Sequence, residues 1–191
     1  MFAMYSTDGG EFKYHTSSHI LRFCVFFGLF FLISLVQIRF WHRQSYIIYI
    51  LFFLLLVGVK YFGLTSSGSK RWLDLYVMNL QPSELMKIGL ILFLAKYYHR
   101  ISLENINQIK FLFLPILALV SPVILVATQP DLGTSILIAA GGVTVAWLAG
   151  VRVKFFAYTA LIFLAVLPVA ISFLKPYQKS RILIFLNPER D

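Results

Sequence analysis

SGSKRWLDLYVMNLQPSELMK, residues 67–87, decides how this chain is read. It separates two long apolar runs and carries charge, aromatic residues and a helix-start signal together. Gln81-Pro82-Ser83-Glu84 is that signal. Proline is favoured at the first helical position, and an acid in the first turn meets the positive end of the helix dipole. Three residues after Glu84 comes Lys87, already inside the next apolar run. A helical pair at that spacing contributes only about 0.2–0.5 kcal/mol in water. A charged side chain at membrane depth costs roughly 2.5–3.5 kcal/mol. The pair does not justify itself by stability, so it is expected to line a polar cavity.

The rest of the chain explains why a membrane is the right setting. Of 191 residues 59% are hydrophobic and 13% charged, whereas a soluble domain is under half apolar and about a quarter charged. The net charge of +9 does not point to nucleic acid, because the basic residues are scattered between apolar runs and form no stripe. Cys24 is the one cysteine, which excludes an internal disulfide and a cysteine-based metal site. His15, His19, His42 and His99 read as surface residues. Residues 1–16 lack the basic start and apolar run of a secretory signal peptide.

The fold class expected is all-α, a polytopic helical membrane bundle forming one domain over 1–191. Six spans are predicted at about 20–38, 46–64, 83–98, 111–127, 134–150 and 155–174. Each approaches the roughly 20 residues needed to cross hydrocarbon. Residues 39–45 read as a loop, 65–82 as a longer polar loop, and 96–110 as a polar connection. Pro115 and Pro122 interrupt the fourth span, which is tolerated where neighbours satisfy the freed carbonyls. Gln129-Pro130-Asp131 repeats the helix-start pattern before the fifth span. Asp131 has no local basic partner and must find one elsewhere or face water.

Six spans put both tails, the 65–82 loop and the 128–133 turn on one side. The opposite loops hold Arg39, Arg43, Lys96, Arg100, Lys110, Arg152 and Lys154, with Glu104 the only acid. The positive-inside rule assigns those loops to the cytoplasm and the 65–82 loop to the outer side. Lys70 and Arg71 beside Trp72 read either as an interfacial anchor or as a phosphate-binding pair, since arginine offers a planar fork to phosphate oxygens. In the tail, Gln178, Lys179 and Arg181 form a second polar cluster. Tyr177, Ile182, Leu183 and Phe185 could lay that segment along the membrane as a short amphipathic helix.

Four stretches in a fixed order carry a resemblance. SKRWLDL, LQPSELMKIGLILFLAKY, ATQPDLGTSILIAAGG and YQKSRILIFLNPERD are together similar to the SEDS family (shape, elongation, division and sporulation), with wording nearest its rod-shape branch. The resemblance covers the chain from about Tyr5 onward. It implies a bacterial inner-membrane peptidoglycan glycosyltransferase that polymerises lipid II, an undecaprenyl-pyrophosphate-linked substrate, into glycan strands for cell elongation. It implies a class B penicillin-binding protein and other elongation-machinery membrane proteins as partners, and no nucleic acid. Family importance falls on Arg71, Glu84, Lys87, Asp131, Gln178 and Arg181, and Lys70 joins them as a pyrophosphate candidate. Glu84 and Asp131 would organise these cations or bind a divalent metal.

Family members have about ten spans. The resemblance therefore implies a piece lacking the opening span and the C-terminal part, with 175–191 the start of a large outer loop. The aspartate regarded as catalytic falls beyond Asp191, so no catalytic residue is expected in this chain. A lipid-linked precursor flippase and a non-catalytic remnant are the competing readings.

Overall fold

The structure, a computed structural model, describes residues 14–66, 69–74, 79–129 and 131–172. The chain divides into two compact units, Met1–Gln44 and Ser45–Asp191. Among the described residues there are six helices, as expected: α1 Tyr14–Ser34, α2 Ile38–Phe62, α3 Pro82–His99, α4 Ile109–Thr128, α5 Leu132–Leu148 and α6 Val153–Ser172. By length and composition α2 and α4 are long and apolar enough to cross a membrane, while α5 and the 20–34 part of α1 are shorter apolar helices.

The ends differ from the sequence reading in ways that have physical causes. Residues 39–45, expected as a loop, form the first turns of α2. Ile-Arg-Phe-Trp-His-Arg-Gln-Ser contains no glycine or proline to stop a helix, and polarity alone does not break one. The real break is at residues 35–37, where Val36 N donates to Ile33 O and Phe40 N to Gln37 O. Lys96, expected in the polar connection, lies in the last turn of α3 and is only 7% exposed, with Nζ 4.4 Å from the centre of the Tyr46 ring. Helix α5 stops at Leu148, two residues before its expected end. Gly150 there adopts φ +98°, Gly150 N donates to Trp147 O, and Val151 N donates to Ala146 O. Those two bonds form the Schellman closure, which needs a left-handed residue and so favours glycine.

The described residues of the 65–82 loop include short strands. Strands β1 Leu64–Ser66, β2 Ser69–Asp74 and β3 Asn79–Leu80 form an antiparallel sheet in the order β1-β2-β3. Leu64 pairs with Trp72, Thr65 with Lys70, and Asp74 with Asn79, with a register irregularity between Leu64 and Thr65. Strands this short are marginal alone; β2 packs against α3.

The core of the second unit joins α2, α3, α4 and α5. Leu56 and Val59 of α2, Met86, Leu90 and Leu94 of α3, Val126 of α4 and Ile138 of α5 are all buried. Helix α5 packs on both α3 and α4. Glycines set two of the closest approaches. A Cβ on Gly89 would stand 2.9 Å from Phe52 Cδ2, and one on Gly142 would stand 2.5 Å from Leu119 Cδ1. Small residues let helices approach this closely without a hydrophobic force between them.

The two prolines of α4 are accounted for individually. Pro115 cannot donate to the carbonyl four residues earlier, Phe111 O, and the Tyr97 hydroxyl donates to that oxygen at 3.0 Å. Pro122 likewise leaves Ala118 O without its helical donor, and the Tyr49 hydroxyl supplies one at 2.8 Å. The Ser121 hydroxyl lies 3.3 Å from the same tyrosine oxygen. Each broken ladder position is therefore repaired from a neighbouring helix, as an apolar surrounding demands.

Candidate functional site

Strand β2 carries Lys70 and Arg71, and β3 runs directly into Gln81, the residue that caps α3. Gln81 is extended, with φ −103° and ψ 103°, and Pro82 occupies the first turn. The Gln81 side chain does not cap its own helix. Instead its Nε2 donates to Asp131 Oδ2 at 3.2 Å, fifty residues away. The other carboxylate oxygen, Oδ1, accepts from Thr134 N at 3.3 Å and so caps α5. Arg71 Nη1 stands 3.9 Å from Asp131 Oδ2, an ion pair longer than a direct hydrogen bond. The partner that Asp131 lacked locally is thus Arg71, and both side chains are largely shielded, at 24% and 12% exposure.

This arrangement draws the N-termini of α3 and α5 together. Each contributes partial positive charge from its unpaired N–H groups, and Arg71 adds a full one. Asp131 offsets part of that charge while fixing all three elements. The second helix-start motif is anchored as well: Gln129 is buried, and its Nε2 donates to Leu56 O at 3.0 Å, tying the end of α4 to α2.

Glu84 and Lys87 sit on the first turns of α3 and pair with each other at 2.8 Å. Glu84 is about half exposed and Lys87 about a quarter. Lys70 lies in β2 opposite Thr65 in the backbone register. Gln178 and Arg181, with the expected amphipathic segment around Tyr177, lie outside the described residues. The structure therefore brings Arg71 and Asp131 together, and pairs Glu84 with Lys87 on the helix that Gln81 begins.

Gln81 and Gln129 were not singled out from sequence. Their signal was present, since each directly precedes the proline of a helix start and both starts belong to one side of the six-span topology. A divalent cation fits this donor set poorly. Among the described residues no three His, Cys, Asp or Glu side chains gather. The carboxylates of Asp131 and Glu84 are engaged by Gln81, Thr134, Arg71 and Lys87.

Comparison with known proteins gives the same reading at the level of the whole chain. The FtsW/RodA/SpoVE family, described as cell cycle proteins, matches residues 2–191. The peptidoglycan glycosyltransferase MrdB of Escherichia coli strain K12 is 36% identical over 171 residues, covering 86% of this chain and 45% of the relative. A chain of a solved peptidoglycan synthase complex superposes with a TM-score of 0.75 at 32% identity, over 92% of this chain and 52% of that one. The crystal structure of the Thermus thermophilus rod shape determining protein RodA gives 0.59 at 31% identity, over 69% and 44%. The chain spans about half the length of these proteins. A family match over residues 2–191, with a superposition on solved relatives at above 30% identity, places this multi-pass membrane protein in the FtsW/RodA/SpoVE, or SEDS, family.

Proposed function

We propose that this chain forms part of a peptidoglycan glycosyltransferase of the rod-shape type, which polymerises lipid II into glycan strands at the outer face of the bacterial cytoplasmic membrane. The observation that carries this reading is the joint made by Gln81, Asp131 and Arg71. It gathers two helix N-termini and a shielded guanidinium at one place. Helix N-termini are ready anion sites, and a lipid pyrophosphate is the anion that the reaction releases. Arg71 and Lys87 hold charge for it, with Lys70 and Arg181 as further cations. Gln178, outside the described residues, is a further polar candidate.

In this mechanism a carboxylate takes the proton of the acceptor sugar hydroxyl. The hydroxyl oxygen attacks the anomeric carbon of the donor, and undecaprenyl pyrophosphate leaves. Glu84 and Asp131 are held in charge pairs and serve to position cations, not to act as the base. The resemblance assigns that role to an aspartate following position 191. No step is routed through a metal. The positive-inside distribution supports placing β1–β3 and both tails outside. A class B penicillin-binding protein and other elongation-machinery membrane proteins are the natural partners. Polar residues inside spans and the two prolines within α4 are compatible with a flippase as the alternative. The freed carbonyls of α4 are capped by Tyr97 and Tyr49 and are not offered to a cargo, which weighs against that use.

The test is polymerisation of lipid II by the full-length protein with its penicillin-binding partner, read as glycan strands on a gel. Arg71→Ala and Lys87→Ala are expected to lower strand formation at least about tenfold, the effect of some 1.4 kcal/mol on the barrier. Unchanged strand formation by both variants would remove the pyrophosphate role. Leaflet exchange of lipid II without strands would favour the flippase.

A further inference from the structure

At the end of the bundle opposite Arg71 and Asp131, helices α3, α4, α5 and α6 leave a partly open apolar groove of about 160 Å³. Leu94, Tyr98, Leu112, Leu119, Ala146 and Phe155 are among its walls. Thr159 also lines it, but its hydroxyl is turned back onto Phe155 O at 2.8 Å. The groove runs into apolar surface that stays exposed at Ile116, Val120 and Val143. Cations neighbour its lining residues in sequence at the chain connections. Lys110 is two residues before Leu112, Arg152 follows the lining residue Val151, and Lys154 precedes Phe155. All three cations are exposed. Asn107 Oδ1 accepts from Arg152 N at 2.8 Å, which ties the α5–α6 turn to the α3–α4 connection and brings both basic segments to one rim.

We propose that this groove binds one anionic phospholipid, with an acyl chain along the apolar walls and the phosphate headgroup against Lys110, Arg152 and Lys154. An apolar slot whose two adjoining connections carry cations is complementary to that amphiphile. Basic pockets between membrane helices recognise anionic headgroups on this principle. The site is separate from the Arg71–Asp131 joint and does not depend on the glycosyltransferase reading.

Native mass spectrometry of the chain, released from detergent with equal amounts of phosphatidylglycerol and phosphatidylcholine bearing the same acyl chains, tests it. The expected result is one retained lipid, with phosphatidylglycerol favoured by about fivefold for each cation engaged, the equivalent of about 1 kcal/mol apiece. The triple variant Lys110→Gln, Arg152→Gln, Lys154→Gln is expected to lose the preference. These are exposed side chains, so the fold is retained. Dihexanoyl phosphatidylglycerol, which keeps the headgroup and shortens the chain, is expected to be released, because the groove holds the acyl part. Equal retention of the two headgroups overturns the proposal, and so does an unchanged preference in the triple variant. Indifference to acyl length also overturns it, as does a lipid-free dimer in which a second copy covers the groove.

Discussion

The Tyr49 hydroxyl donates to the carbonyl of Ala118, the acceptor that Pro122 leaves without a helical partner. A side chain on α2 thereby completes the backbone of α4 across 69 residues of sequence. Tyr49→Phe keeps the ring in its contact with Phe93, 4.7 Å between centroids, and removes only the donor. The expected cost is about 1–3 kcal/mol, the penalty of a buried carbonyl left unpaired. Pro122→Ala restores an N–H for Ala118 O, so in that background Tyr49→Phe should cost distinctly less. A double-mutant cycle on unfolding in detergent measures the coupling, and strictly additive losses would show that the tyrosine is not repairing the proline.

Asp131 serves two kinds of bond, and substitution separates them. Asp131→Asn retains an oxygen for Thr134 N and can still meet Gln81, so stability should fall little. Asp131→Ala removes the cap of α5 and is expected to cost about 1 kcal/mol from that loss alone. If the charge of Asp131 orients Arg71, both variants should depress lipid II polymerisation in the full-length protein. Thermal unfolding and strand formation, measured on the same preparations, distinguish the two contributions.

Glu84 and Lys87 give the opposite pattern. Their pair is half open to its surroundings, and exposed pairs at this spacing contribute about 0.3–0.5 kcal/mol. Glu84→Gln and Lys87→Met should leave unfolding within that range. Activity in the full-length protein should nevertheless drop for Lys87→Met, since the proposed function uses its charge against the pyrophosphate. A large stability loss with normal activity would make the pair structural.

Gly89 sets the approach of α3 to α2. A valine there drives its side chain toward the Phe52 ring and toward the Tyr49 backbone, whose Cα is 3.5 Å from a Cβ placed at Gly89. Overpacking of this kind typically costs about 1–3 kcal/mol. Gly133, which has nothing within 4 Å of its Cβ position, is the control: Gly133→Ala should be tolerated or slightly stabilising in a melting experiment.

The helices were legible because apolar length is the strongest signal in a membrane chain, and α4 falls within two residues of its expected bounds. Polarity misplaced the start of α2, since Arg39, His42 and Arg43 are compatible with helix and only the 35–37 break ends α1. The small sheet was not legible: its strands have three, six and two residues, too short for a clear alternation. The need for a distant partner at Asp131 was readable from the lack of a local cation. That Arg71 and Gln81 supply it was not, because it depends on how β2 and α3 dock beside α5. The tyrosine repairs of α4 escaped for the same reason, their partners lying 14 and 69 residues away.

The bond between Gln81 and Asp131 also imposes an order in time. A chain emerging from the ribosome at about 5–20 residues per second makes Gln81 roughly 3–10 s before Asp131 exists. Throughout that interval Arg71 and the start of α3 have no carboxylate from α5 to meet. The joint can close only when α5 arrives, so the N-terminus of α3 waits on a helix made fifty residues later.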